Sequence, residues 1–382
     1  MRLSDCHNID DFRRLAKQRL PWPVFDYIDG AADDEITKTR NTSAFDEVDL
    51  VPDVLAGVSD IDTSRQIMGR DSALPLVLSP TALQRAFHRD GERAVARAAQ
   101  KFGIWFGISS LATHSIEEIA ALTKGPKLFQ LYVHKDKGLN ASMIERCREA
   151  QFDALALTVD TIVSGKRERC LRSGFTTPPR FSASSLWSYA TRPRWTLDYV
   201  FGPKFRLPNL DGHVQEGSGK SVSIQDYFNT MLDTGMDWDT AARIRQDWGG
   251  TFALKGVMSA ADARRAVEIG ADAIWISNHG GRQLDGSRAP FDQLDEIVDA
   301  VGGEIEIILD GGVRRGTHIL KSLASGATAA SGGRLYLYAL AAAGQPGVER
   351  AISILKEEIE RGMRLMGVAS IDQLTADRLR WR

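Results

Sequence analysis

From Leu74 onward, short apolar runs alternate with segments in which apolar residues return every three or four positions. This is the pattern of repeated strand and helix units around a parallel sheet. The runs are Leu74–Ser79, Ile104–Ser109, Lys127–Val133, Ala154–Asp160, Phe252–Gly256, Ala273–Asn278, Glu306–Asp310 and Ala327–Gly332. Between them, Gly91–Phe102 puts Ala94, Val95, Ala98, Ala99 and Phe102 on one helical face, and Ala260–Ile269 does the same with Ala263, Ala266, Val267 and Ile269. Eight parallel strands joined by right-handed crossovers predict an α/β chain closed as a (β/α)8 TIM barrel. No Gly-x-Gly-x-x-Gly follows Leu74–Ser79, which argues against a doubly wound dinucleotide-binding sheet. Helical patterns at Ile9–Arg19 and Trp22–Ile28 predict an N-terminal helical cap too small to be an independent domain. The expected division is a single domain: cap 1–73, barrel 74–345 with an insertion at 161–237, and a C-terminal helix and tail at 346–382.

The insertion breaks the rhythm, because about seventy residues separate the fourth strand from the next helix near Trp238, far more than an ordinary βα loop. Within it, 180–206 mixes Phe181, Trp187, Tyr189, Trp195, Tyr199, Phe201 and Phe205 with five basic residues and one acid, Asp198. Such a mixture suits a membrane interface or an anionic partner. It equally suits an excursion whose aromatics pack back on the barrel or on a neighbouring subunit.

Composition narrows the class further. With 43% hydrophobic and 26% charged residues, the 382-residue chain is that of an ordinary globular protein. Forty-eight basic against 50 acidic residues leave a net charge of -2, so no general basic field attracts nucleic acid. Cys6, Cys147 and Cys170 have neither disulfide nor metal spacing, which fits a reducing compartment and no metal site. The N-terminus opens no apolar run of signal-peptide length, and the longest apolar stretch, Leu335 to Ala343, is far too short to span a bilayer, so the expectation is a soluble or peripherally attached protein.

In such a barrel, chemistry collects at the carboxyl ends of the strands. There the sequence places Gln130 and Tyr132, Thr158 and Asp160, Lys255, Ser277, Asn278 and His279, and Asp310. So many polar groups in apolar contexts, each costing about 1–3 kcal/mol if buried unpaired, point to a convergent site. His279 leaves a buried strand, is followed by Gly280 and Gly281, and has Arg282 three residues on: a base beside a fixed cation, suited to removing hydrogen from carbon next to a carboxylate. Asp310-Gly311-Gly312-Val313-Arg314 and Gly332-Gly333-Arg334 follow strands seven and eight, where such barrels bind phosphate through glycine-freed N–H groups. Lys255, ending a buried strand, requires an anionic partner or a Schiff-base role, and stabilising negative charge on a cofactor ring is the better reading. Arg167 opens the long loop and is a candidate second carboxylate clamp.

Together, Phe25-Asp26-Tyr27-Ile28-Asp29-Gly30 and Ser277-Asn278-His279-Gly280-Gly281-Arg282-Gln283-Leu284-Asp285 resemble the FMN-dependent L-2-hydroxy acid dehydrogenase and oxidase family, over nearly the whole chain. The resemblance implies FMN as cofactor and oxidation of an L-2-hydroxy acid, L-lactate first, to the 2-keto acid. It implies His279 as base with Asp160 orienting it, Arg167 and Arg282 on the substrate carboxylate, and Tyr27 and Tyr132 bonding carboxylate and hydroxyl. Pro80, Thr81, Ala82, Ser109, Gln130, Thr158, Lys255 and Ser277 would hold the isoalloxazine, and Asp310, Gly312, Arg314, Gly333 and Arg334 the ribityl and phosphate.

Two departures stand out. Ser109-Ser110-Leu111 has leucine where glycolate oxidase has tryptophan, which implies a wider pocket and keeps L-mandelate-like acids in view, and Gly332 replaces a usual aliphatic residue. The basic, aromatic loop looks like that of membrane-associated members that pass electrons to quinone, with a peroxide-forming oxidase as the alternative. Outside that chemistry, the phosphate loops would also serve an isomerase or lyase acting on a phosphorylated substrate. Residues 1–71 are too short and lack the histidine pair for a haem domain. The resulting expectation is a cytoplasmic homotetramer, able to lie on the inner face of the cell membrane through 180–206.

Overall fold

A computed structural model of the chain describes residues 1–175, 183–210 and 229–382. Its centre is a closed barrel of eight parallel strands, β1 (Leu76–Thr81), β2 (Trp105–Ser109), β3 (Lys127–Leu131), β4 (Ala154–Thr158), β5 (Thr251–Val257), β6 (Ala273–Ser277), β7 (Glu306–Asp310) and β8 (Ala329–Gly332), with β8 pairing β1 to close the ring. The (β/α)8 expectation therefore holds. The first strand starts two residues later than its apolar run and extends to Thr81. Pro80 has no N–H to donate, and the ladder to β2 shifts register between Leu78 and Thr81.

Inside the ring, Trp105 of β2 and Trp275 of β6 sit among Ala154, Ala156, Ala253, Ala273 and Ala329, so large side chains fill the space small ones leave. A hairpin of Arg65–Ile67 and Arg70–Ser72 inserts Ile67 and Met68 into this cluster, and the Glu306 carboxylate accepts the Met68 N–H at 2.8 Å. Around the barrel a second, larger cluster joins strands to helices, including Gly91–Phe102, whose boundaries match its apolar stripe.

Three N-terminal helices, α1 (Ile9–Arg19), α2 (Trp22–Asp29) and α3 (Ile36–Ser43), pack on the barrel. Asp29 fastens them. Its carboxylate is 1% exposed and accepts from Arg13 of α1 at 2.5 and 3.0 Å, from Arg169 of the insertion at 3.0 Å and from the Tyr338 hydroxyl at 2.8 Å. Val48–Leu50 pairs antiparallel with Leu379–Trp381, tying the C-terminal tail back to the end of the cap.

In the insertion, Ala183–Ala190 and Pro193–Phe201 are helices. Tyr189 is buried, and Trp195 donates its indole N–H to Ala86 O at 2.8 Å and stacks on Tyr199, so these aromatics do pack back on the molecule. Trp187 and Phe201 do not: they are 74% and 81% exposed, with Leu186, Leu197 and Val200 also outward. Arg180 and Phe181 of the basic, aromatic segment lie outside the described residues.

Burial pushes the Asp29 carboxyl up, but hydrogen bonds from Arg13 and Tyr338 outweigh it and hold the group well below the usual carboxylate range. A depressed folded pKa stabilises the protein above the unfolded value near 4 and loses that stability as pH falls through the folded value. Asp29→Asn is expected to cost about 2–3 kcal/mol at pH 7, less than a fully buried pair because Arg13 is half exposed. Denaturant melts should show that difference shrinking progressively below about pH 4.

Candidate active site

Parallel register sets the level of the polar strand ends: Asp310 pairs with Ser277, Lys255 with Thr158, and Gln130 with Ser109. Above them opens a cleft. It is lined by Tyr27 of α2, Pro80, Thr81 and Ala82, Tyr132, Arg167, Lys255, His279 and Arg282, Asp310, Gly312 and Arg314, and Gly333 and Arg334. The elements named in the sequence thus converge. Asp160, Ser109, Gln130, Thr158 and Ser277 are not on the lining itself; Ser109, Gln130, Thr158 and Ser277 are buried, with Gln130 Nε2 donating to Thr158 Oγ1 at 2.7 Å.

His279 leaves β6 with φ at +57°, a left-handed conformation that costs a non-glycine residue about 1–3 kcal/mol. Its N–H donates to Ser277 Oγ at 3.2 Å, its Nδ1 stands 3.0 Å from Asp160 Oδ1, and its Nε2 is 3.5 Å from the Tyr132 hydroxyl. A carboxylate on Nδ1 favours the proton there and leaves Nε2 as acceptor. Asp160 is itself positioned from two sides. Gln283 Nε2 donates to its carbonyl at 2.9 Å, and Gly256, at φ +112°, packs so closely that a Cβ would lie 2.7 Å from Asp160 Cβ and Cγ.

Two guanidiniums face this dyad. Arg167 is buried, and among the described residues its hydrogen bonds are long, Nε to Arg282 O at 3.4 Å and Nη2 to Gln283 Oε1 at 3.5 Å. Arg282 donates through Nη1 to Tyr27 O at 2.6 Å and Gly30 O at 2.9 Å, and lies 4.8 Å over the Tyr27 ring. Among the described residues neither has a carboxylate partner. Burial, reinforced by Arg282, lowers the Arg167 pKa to about 10, so it stays charged at neutral pH. Adjacent cations without a counter-ion make a site for an anion.

Lys255 and Asp310 form a buried ion pair, with Ser277 Oγ 2.9 Å from each and Ser79 Oγ 2.6 Å from Asp310. The partner that the buried lysine requires is therefore a protein carboxylate. Burial raises the Asp310 carboxyl, but the Lys255 charge and the hydroxyl donors hold it below its ordinary pKa. After β7, Gly312 adopts φ +75° with Asn41 O only 1.8 Å from where a Cβ would sit, so the loop packs directly on α3.

Arg334 lines the cleft and carries a second role. Its Nε, Nη1 and Nη2 donate to the carbonyls of Ile28, Gly280 and Gly30 at 2.7–2.8 Å, so its side chain braces the cap and the His279 loop. Those bonds take three of its five N–H donors, and Arg334 still lines the cleft, so a phosphate at these loops would meet Arg314, the backbone N–H groups and the remaining donors of Arg334. Leu111 is buried and does not reach the cleft lining, whereas Phe87 and Leu337 do. Neither carried a signal in the sequence, since each reads as an ordinary core residue.

The family model described as FMN-dependent dehydrogenase matches residues 16–381. The chain is 40% identical to the L-lactate dehydrogenase of Alcaligenes faecalis and 39% identical to the L-lactate oxidase of Nostoc sp., each match covering 97% of both chains. Among solved structures it is similar to the monotopic membrane protein (S)-mandelate dehydrogenase, with a TM-score of 0.94 and 34% identity over 99% of this chain and 100% of that one. It is also similar to a soluble mutant of the membrane-associated enzyme of that name from Pseudomonas putida, with a TM-score of 0.86 and 33% identity over 99% and 100%.

Gly256→Ala tests how far Asp160 depends on its surroundings. The added methyl should displace the carboxylate from His279 and lower turnover by about 10²-fold, with the melting transition retained. Steady-state assay beside a thermal melt checks both halves.

Proposed function

The chain belongs to the FMN-dependent dehydrogenase family, and from that premise we propose that it oxidises L-lactate to pyruvate and passes the electrons to a quinone rather than to oxygen. The observation that carries this reading is the His279–Asp160 dyad facing two guanidiniums that have no carboxylate partner among the described residues, the complement of a 2-hydroxy carboxylate. Lactate is favoured among such acids by the names of the related L-lactate dehydrogenases.

The residues fit the cofactor. Gln130 Oε1 is buried with no partner among the described residues, an acceptor suited to a ring N–H, and the glycine turns with Arg314 suit a phosphate. Pro80, Thr81, Ala82, Ser109, Gln130, Thr158, Ser277 and Lys255 would hold the ring, and Asp310, Gly312, Arg314, Gly333 and Arg334 the ribityl phosphate. When bound, FMN supplies the two-electron acceptor for the hydrogen on the substrate's α-carbon.

Arg167 and Arg282 bind the substrate carboxylate and so fix which face of the α-carbon is presented. Tyr27 and Tyr132 hydrogen-bond carboxylate and hydroxyl. His279 Nε2 takes the proton, and the imidazolium it becomes is stabilised by Asp160 on the opposite nitrogen. The left-handed backbone at His279 holds that nitrogen in place before substrate arrives.

The outward faces of Ala183–Ala190 and Pro193–Phe201, with Trp187 and Phe201 exposed among arginines, support peripheral attachment to the inner face of the cell membrane. Among the described residues no helix is long and apolar enough to cross a membrane. The same reading includes a cytoplasmic homotetramer, the assembly implied by the resemblance, which light scattering can check.

His279→Gln should retain flavin and lose turnover by at least about 10²–10⁴-fold. In the unaltered enzyme, anaerobic L-lactate should bleach the flavin spectrum, with rapid recovery on adding a soluble quinone and slow recovery in air. Rapid recovery in air would make it an oxidase, the activity of the Nostoc relative. Vesicles containing anionic lipid should co-sediment the enzyme at low salt and release it as salt rises; absence of binding at low salt would remove the membrane from the proposal.

A further inference from the structure

A second cavity, of about 410 Å³, lies between the end of α1, the turn after β1 and helix Pro193–Phe201. Arg19, Arg85, Arg89, Arg192 and Arg194 line it, against a single carboxylate, Asp198. Arg85 is engaged by the carbonyls of Pro203 and Lys204, and Arg89 approaches Asp198 at 3.6 Å. Arg19 and Arg194 have no carboxylate or carbonyl partner among the described residues, and Arg192 Nε is buried with none. Trp195, anchored through Ala86 O, stacks parallel on Tyr199 at 5.0 Å and 11° in the same wall.

The cavity adjoins the catalytic cleft. Phe87 lines both, and Leu337 in the cleft lies one helical turn from Ala341 in the cavity. Resting on the reading that electrons leave to a quinone, we propose that this cavity seats the quinone ring, its carbonyl oxygens on Arg19 and Arg194 and its face against the Trp195–Tyr199 pair. Lactate gives up two electrons and two protons on becoming pyruvate, and the quinone takes up two of each to leave as quinol. Its oxygens gain negative charge as electrons arrive, which fixed guanidiniums stabilise. An inorganic phosphate would use the cations and leave the aromatic wall without a role.

The test is equilibrium dialysis of a short-chain 1,4-benzoquinone against the oxidised holoenzyme without substrate, comparing the unaltered protein with the Arg19→Gln/Arg194→Gln double variant. Both arginines are exposed, so the fold should be retained. The expected result is a rise in quinone Kd of at least about tenfold, with reoxidation by quinone slowed to match and flavin bleaching by L-lactate and reoxidation by ferricyanide unchanged. An unchanged quinone Kd in the double variant overturns the site, as does loss of inorganic phosphate binding alone, which would make it an anion site. If lactate fails to bleach the unaltered enzyme, or quinone fails to reoxidise it, the functional reading falls and takes the site with it.

Discussion

Closure of eight parallel strands in one hydrogen-bonded register is the constraint on which the active site depends. A parallel ladder fixes each strand's height against its neighbours, so the identity of the last residue of each strand decides what faces the cleft. Ser277 beside Asp310 and Thr158 beside Lys255 are consequences of that register. A slip of one residue in β5 would turn Lys255 out of the ring and leave Asp310 as an unpaired buried carboxylate, a change far more costly than the loss of one backbone bond.

The charges at the cleft divide by whether the protein neutralises them. Lys255 and Asp310 answer one another and are supported by two serine hydroxyls, a closed arrangement that holds geometry. Arg334 is satisfied by carbonyls from the cap and the His279 loop and serves as a brace. Arg167 and Arg282 are left uncompensated among the described residues, which suits them to an anionic ligand. The cap matters here because Arg282 is oriented by the Tyr27 and Gly30 carbonyls at the end of α2, and α2 is held by Asp29. A network distant from His279 thus fixes the direction of a cation on the cleft lining.

Much of this was legible in the sequence because the barrel's physics is periodic. The run Glu306–Asp310 and the helix Gly91–Phe102 have the same limits as the elements they form. The residues around His279 were legible because a base, two glycines and an arginine in succession leave few structural uses. The roles of Arg334 and Phe87 were not. Whether an arginine in a glycine turn also braces distant carbonyls depends on which segment packs over it, here residues 28–30, and no local pattern encodes that. Phe87 reads as core because it is core; that it bounds two cavities is a property of the packing.

The insertion shows the same limit from the opposite side. Its mixture of arginines and aromatics left open whether the rings turn inward or outward, and the structure does both. Pro193–Phe201 commits Trp195 and Tyr199 to a wall beside the barrel and leaves Val200 and Phe201 in solvent. A helix of this length has room for two unlike faces, so one segment can bound a cavity next to the cleft and still present apolar side chains to a surface. For a ligand that dissolves in lipid and must reach a site near His279, that places the surface it would leave and the cavity it would enter on the two sides of a single helix.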